Sequence, residues 1–137
     1  MKAHLSRRYH FPASHRLFLV DATDAENQTT YGKCNNPYGH GHNYTIEVTF
    51  SGRVSEKTGM VCDLAELDGF TQREVLSGLD HMNLNTLPAF AGQVPTTERL
   101  CVHIFDLYKR GFNNAKLERV RIEETAKNSF EYTGRPE

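Results

Sequence analysis

The stretch that decides the fold is residues 42–54, HNYTIEVTFSGRV. Every second residue from Tyr44 to Phe50 is apolar, and the residues between them are polar. A period of two over this length predicts a β-strand that buries one face. The segment SEKTGM that follows contains Gly59 and predicts a turn. The remaining elements are therefore expected to pack around one long amphipathic strand.

Two helices are predicted after this strand. The first covers residues 63–79, DLAELDGFTQREVLSGL, where Asp63 is a suitable N-cap and Gly69 interrupts the middle. The second covers residues 96–111, TTERLCVHIFDLYKRG, with Pro95 and either Thr96 or Thr97 marking its start. Its predicted buried stripe consists of Leu100, Cys101, Ile104, Phe105 and Tyr108.

Three further segments have the pattern of strands. Residues 5–17, LSRRYHFPASHRL, are interrupted by Pro12 and predict an edge or bulged strand. Residues 116–125 and 128–134 predict two more strands near the C-terminal end. The order ββααββ predicts an α+β fold in a single domain over residues 1–137, with two helices on one face of a four-stranded antiparallel sheet. Exposed sheet edges also favour a homo-oligomer.

Composition excludes several classes of protein. The formal net charge is -1, so no global field attracts nucleic acid or an anionic membrane. The sequence lacks the roughly 18 consecutive apolar residues of a membrane span, and its first residues lack the apolar core of a secretory signal. Three widely spaced cysteines argue against a disulfide framework. A cytoplasmic protein is expected.

The histidines of GHGHNY are candidates for a metal site. His40 and His42 share the face of the strand that carries Tyr44, so both imidazoles can meet one ion. His15 is the candidate for a third ligand, which would leave one position of a tetrahedral zinc ion open, as catalytic zinc requires. The alternative is that His40 and His42 are buried and simply hydrogen-bonded.

Cys34 and two acidic residues are candidates for chemistry. Cys34 lies in a polar loop beside Lys33, where a thiolate can be stabilised, although it is also compatible with a small buried apolar residue or a fourth zinc ligand. Asp80 and His81 form either an acid–base pair or a solvated turn. Glu124 is predicted on the inward face of its strand, where a carboxylate needs a partner; the alternative is that the strand end frays and Glu124 is simply solvated.

Six motifs carry a resemblance to a known family. FPASHRL, GKCNNPYGHGHNY, TGMVCDLAEL, LDHMNLN, PTTERL and RIEET occur in this order and span nearly the whole chain. Together they resemble the 6-pyruvoyl-tetrahydropterin synthases, which have the tunnelling fold (T-fold). The resemblance implies trimers whose sheets join into a barrel, with two trimers stacked into a homohexamer and active sites between subunits.

The resemblance also assigns roles to individual residues. It implies zinc ligands at His15, His40 and His42, and a catalytic cysteine at Cys34. The remaining implied roles belong to Asp80 and His81, as partners of the cysteine, to Glu124, as the anchor of the pterin, and to Thr96 and Thr97, in the segment that lines the pterin pocket.

The activity implied is the zinc-dependent conversion of 7,8-dihydroneopterin triphosphate to 6-pyruvoyl-tetrahydropterin, with elimination of triphosphate. Two alternatives stay open. One is a 6-carboxytetrahydropterin synthase of queuosine biosynthesis, which acts on the same substrate. The other is a non-enzymatic zinc-stabilised module in which Cys34 is a fourth ligand. Arg7, Arg8, Arg16 and Lys33 are the cations considered for the triphosphate.

Overall fold

A four-stranded antiparallel sheet forms the scaffold of the protein, whose computed structural model describes residues 1–136. The long strand β1 (Lys2–His15) pairs with β2 (His40–Arg53). β2 pairs in turn with β3 (Lys116–Glu123), and β3 with β4 (Ser129–Tyr132), giving the order β1-β2-β3-β4. The predicted sheet is confirmed, with β1 at its edge.

The two faces of β2 differ in chemistry but are both covered. The predicted apolar face is confirmed, because Tyr44, Ile46, Val48 and Phe50 are fully buried. The polar face, expected in solvent, is also largely buried at Glu47. Arg8 from β1 and Arg119 from β3 each approach the Glu47 carboxylate to 2.7 Å. Long side chains of the neighbouring strands therefore cover this part of the polar face.

A short helix that the sequence analysis did not predict follows β1. Helix α1 (Asp24–Tyr31) is almost entirely polar, so it lacks the apolar stripe by which amphipathic helices are recognised. It begins with a capping box, in which the Thr23 hydroxyl accepts from the Glu26 N–H and the Glu26 carboxylate accepts from the Thr23 N–H. The spacing of Thr23 and Glu26 was the signal available in the sequence.

The two predicted helices are both present. Helix α2 (Leu64–Phe70) starts at Asp63, whose carboxylate accepts two backbone N–H groups of the first turn. It is shorter than predicted, because the chain continues as a π-helical turn over Thr71–Val75 and a 3-10 turn over Leu76–Gly78. Helix α3 (Thr97–Gly111) buries the five residues predicted for its stripe and packs on β3 and β4.

Helix capping fixes the start of α3, and strand pairing fixes the course of β1 and β2. Thr96 is the N-cap of α3 and accepts the Arg99 N–H. Pro12 lies within β1 without a bulge, and the register shift of the sheet falls instead between β2 and β3, at Thr49 and Phe50. No helix within residues 1–136 is long and apolar enough to cross a membrane.

Candidate active site

Three predicted site histidines meet where β1 ends and β2 begins. His15 is the last residue of β1 and pairs in register with His40, the first residue of β2. The ring of His42 lies 5.0 Å from the ring of His15 and 4.5 Å from that of His40, measured between centroids. The antiparallel pairing thus gathers imidazoles that are distant in sequence.

Four side chains at this point offer donor atoms to one ion. One donor atom each from His15, Cys34, His42 and Glu124 lies within 4.8 Å of the other three. The Nε2 atoms of His15 and His42 are buried and have no hydrogen-bond partner in the described part of the chain. Leaving buried polar atoms without partners is costly, and imidazole, thiolate and carboxylate are all zinc ligands. The donor set therefore fits a bound metal ion.

The tautomer of His15 is fixed by a partner on another element. Its Nδ1 lies 3.0 Å from the carbonyl oxygen of Pro95, which can only accept a hydrogen bond. Nδ1 therefore carries the proton, and the lone pair of Nε2 points to the donor group. This outer hydrogen bond is the arrangement that orients a metal-binding imidazole.

Burial favours the neutral form of the two imidazoles, which is the form that a metal ligand needs. Burial lowers the pKa of His15, and burial also lowers the pKa of His42 despite the opposing effect of the nearby Glu124 carboxylate. His40 stands beside His42, and its ring nitrogens lie outside the group of four donor atoms.

Cys34 is placed at the donor group by a short 3-10 turn, Gly32–Asn35, that is bonded to the chain just after β1. The Leu17 N–H donates to the Cys34 carbonyl at 2.7 Å, and the buried Asn35 side chain donates to the Leu17 carbonyl at 3.0 Å. Burial raises the pKa of the Cys34 thiol, and the charge of Glu124 raises it further. The expectation that Lys33 stabilises a thiolate is not met, because Lys33 is exposed and does not contribute to this shift.

Glu124 follows β3 directly and turns inward, as predicted. Its side chain is 11% exposed, and its Oε1 lies 3.5 Å from His42 Nε2. The Thr97 hydroxyl, at the start of α3, donates to its Oε2. Thr97 thus orients the carboxylate, whereas the hydroxyl of Thr96 accepts the hydrogen bond that caps α3.

Asp80 and His81 form a pair that is not part of the donor group. Asp80 Oδ1 lies 2.9 Å from His81 Nδ1, and the His81 side chain is 78% exposed. Within residues 1–136 neither residue has a hydrogen bond or an ion pair with Cys34. His81 has a φ of 60°, the left-handed conformation that residues other than glycine seldom adopt.

Tyr44 supports the site and was predicted only as a core residue. It is fully buried, and its ring lies edge-on to His42 at 5.5 Å and to His15 at 6.4 Å. Its hydroxyl lies 3.5 Å from His15 Nδ1. Its position two residues after His42 on the same strand face was the signal available in the sequence.

A model of the family described as 6-pyruvoyl tetrahydropterin synthase matches residues 4–135. The chain belongs to this family. It is 42% identical over 134 residues to the 6-pyruvoyl tetrahydrobiopterin synthase of Homo sapiens, covering 97% of this chain and 92% of the relative. It is 43% identical over 132 residues to that of Poecilia reticulata, covering 96% and 90%.

The fold of the family is matched as well. The solved structure of Caenorhabditis elegans 6-pyruvoyl tetrahydropterin synthase superimposes with a TM-score of 0.91 at 41% identity, covering 98% of this chain and 97% of that one. The resemblance seen in the six motifs is confirmed, and so is the predicted T-fold. Because the chain belongs to the 6-pyruvoyl tetrahydropterin synthase family, the group around His15 and His42 is its candidate active site.

Proposed function

We propose that this protein is a 6-pyruvoyl-tetrahydropterin synthase, which converts 7,8-dihydroneopterin triphosphate to 6-pyruvoyl-tetrahydropterin with loss of triphosphate. The observation that carries the proposal is the pair of buried Nε2 atoms of His15 and His42, which lack a hydrogen-bond partner within residues 1–136 and are grouped with Cys34 and Glu124. This group occurs in a chain that is 42% identical to a synthase of this name over 97% of its length.

The residues proposed to hold the metal are His15, His42 and His40. His15 and His42 already present neutral, desolvated imidazoles, and His40 lies next to them on the same strand face. Zinc is the proposed metal, because it is commonly bound by three imidazoles with one position left open. When bound, it would supply a Lewis acid that acidifies C–H bonds next to the substrate hydroxyls and lowers the pKa of the nearby thiol.

The protein side chains supply binding and proton transfer. Glu124 is proposed to anchor the N–H edge of the pterin through charge-assisted hydrogen bonds, with Thr97 holding the carboxylate. Thr96 and Thr97 are proposed to belong to the segment that lines the pterin pocket. Cys34 is proposed to remove and return protons on the substrate side chain. The ring gains the hydrogens that the side-chain carbons lose, so the conversion is internally balanced and needs no external oxidant or reductant.

Asp80 and His81 are proposed to act across a subunit boundary. Within one chain the pair is exposed and does not contact Cys34, whereas β1 and β4 leave two open edges of the sheet. Joining such edges between copies of the chain is the arrangement proposed here, as a homohexamer of two trimers with this single-domain chain as the subunit. The pair of one copy would then relay protons to the cysteine of a neighbour. A cytoplasmic location is proposed with it.

The triphosphate is proposed to meet Arg16 and Lys33. Arg7 is held by two hydrogen bonds to Asp68, and Arg8 is held by Glu47, so these two cations are already paired. Arg16 immediately follows the metal ligand His15 and donates to the Asn35 carbonyl, next to Cys34. Its guanidinium has no ion pair with a carboxylate in residues 1–136.

Incubation of the zinc-loaded protein with 7,8-dihydroneopterin triphosphate tests the proposal. We expect release of triphosphate and formation of the pyruvoyl product, and a carboxylated product would instead identify a 6-carboxytetrahydropterin synthase. Cys34→Ala is the second arm, and Cys101→Ala is its control, since Cys101 is buried against β3. Loss of turnover with full zinc content supports the synthase, whereas loss of zinc and stability supports a structural zinc module.

A further inference from the structure

The pairing of strand β1 with β2 stops at His15, the proposed metal ligand. The pairing of β1 with β2 ends at His15 and His40, so the backbone of Arg16 has no partner from β2. Asn85 takes this place with its side chain. Asn85 Oδ1 accepts the Arg16 N–H at 2.7 Å, and Asn85 Nδ2 donates to the Arg16 carbonyl at 2.8 Å.

A side-chain amide can replace a strand because it has the same groups as a peptide unit. The carbonyl and amino groups of Asn85 satisfy both backbone groups of one residue, as a paired strand does. Asn85 is the last residue of the motif LDHMNLN. Neither the proposed metal ligation nor the proposed proton transfer gives it a role.

The loop of residues 80–85, which carries Asp80 and His81, is hydrogen-bonded to the chain on both sides of His15. Before His15, the His81 N–H donates to the Pro12 carbonyl at 2.7 Å, and the Ser14 N–H donates to the Met82 carbonyl at 3.0 Å. After His15, the only hydrogen bonds recorded between this loop and the strand within residues 1–136 are the two made by Asn85. Asn85 therefore makes the hydrogen bonds that attach the loop to the chain on the far side of His15.

We propose that Asn85 is a positioning residue that holds two groups at once: the metal ligand His15 of its own site, and the Asp80–His81 loop that would serve the neighbouring copy. The inference rests on the proposed function, since it assumes that both groups serve the reaction. Without Asn85, the Arg16 backbone loses both hydrogen bonds to the loop, and within residues 1–136 the loop keeps only the bonds to β1 that precede His15. Small errors in the placement of a ligand or a proton donor lower turnover strongly, and outer partners of metal ligands typically affect metal affinity or activity by about 10- to 100-fold.

The test compares Asn85→Ala with Thr86→Val in the zinc-loaded full chain. Thr86 lies with Asn85 in the short 3-10 turn Leu84–Thr86 and is exposed. Its hydroxyl donates to the Asn83 carbonyl at 2.8 Å and, within residues 1–136, makes no hydrogen bond to β1. Each variant is measured for kcat per zinc-loaded site, for KM, and for zinc retention against a competing chelator.

We expect Asn85→Ala to lose at least about 10-fold in kcat per loaded site, with KM within about threefold of the parent, and to release zinc at lower chelator concentration. Thr86→Val should match the parent in all three. The proposal is overturned if both variants behave alike, if the loss of rate equals the loss of folded or loaded protein, or if KM rises as much as kcat falls. If the parent forms no pyruvoyl product, the proposed function fails, and zinc retention alone then decides the role of Asn85.

Discussion

Replacing Glu124 with glutamine tests whether this carboxylate anchors the pterin, as proposed, or takes part in the chemistry. The Glu124 carboxylate is 11% exposed and accepts a hydrogen bond from Thr97, which a glutamine Oε1 can still accept. The fold should therefore tolerate Glu124→Gln, with a change in unfolding free energy below about 1 kcal/mol. The variant loses the negative charge and presents an amide N–H to one of the pterin N–H groups.

The expected cost follows from two charge-assisted hydrogen bonds. Each contributes about 1.5–3 kcal/mol, and glutamine retains one neutral acceptor, so the loss is roughly 3 kcal/mol, or roughly 150-fold in KM. Steady-state kinetics on zinc-loaded protein measures it. Glu123→Gln is the matched control, because Glu123 is 47% exposed and pairs with Arg121 at 2.8 Å, and its KM should not change.

A different kinetic result would refute this reasoning. If Glu124→Gln lowers kcat and leaves KM unchanged, the carboxylate acts on the reacting atoms instead of holding the substrate. If the variant loses zinc, Glu124 is a metal ligand, as its place among the four donor atoms allows. Zinc content is therefore measured on the same samples.

Three further predictions concern stability. Arg8 and then Arg119 lower the pKa of Glu47. Its contribution to the free energy of unfolding is therefore present above the unfolded pKa of about 4.3 and disappears as the pH falls through the lower folded pKa. Urea unfolding at acid and neutral pH should show that Glu47→Gln makes the free energy of unfolding depend less on pH. Gly111→Ala would place a Cβ 2.5 Å from the buried Phe70 ring and should cost about 1–3 kcal/mol, whereas Gly69→Ala, with open space around it, should not destabilise α2. Removing zinc with a chelator should lower the melting temperature, by an amount equivalent to about 4 kcal/mol if free zinc had exceeded its Kd a thousandfold. The melting temperature of His42→Ala should not change with zinc. Equal melting curves of the parent with and without metal would contradict the proposed ligation.

Periodic patterns in the sequence were sufficient for the main elements. The alternation from Tyr44 to Phe50 and the stripe from Leu100 to Tyr108 both reflect burial against one layer, and both elements are present as predicted. Helix α1 was missed because it buries little, so that only its capping box marks it. The burial of Glu47 was missed because it depends on arginines from two other strands.

The site was predictable in its residue types but not in its supports. Strand parity placed His40 and His42 together, and the inward position of Glu124 followed from its neighbours on β3. The bond from His15 to the Pro95 carbonyl joins two residues far apart in sequence, and a backbone carbonyl leaves no mark on residue identity. The raised pKa of Cys34 was also hidden, because it results from burial and from the charge of Glu124, which is far away in sequence, and the adjacent Lys33 does not offset it.

The left-handed backbone of His81 places a cost on folding at a residue proposed for proton transfer. A φ of 60° in a residue with a Cβ costs roughly 1–2 kcal/mol, which glycine or asparagine would partly recover. His81→Gly is therefore expected to melt at a higher temperature than the parent while losing turnover. Selection for thermostability alone would favour replacing this imidazole, so the strained backbone at His81 is expected only if the proposed proton transfer requires the histidine.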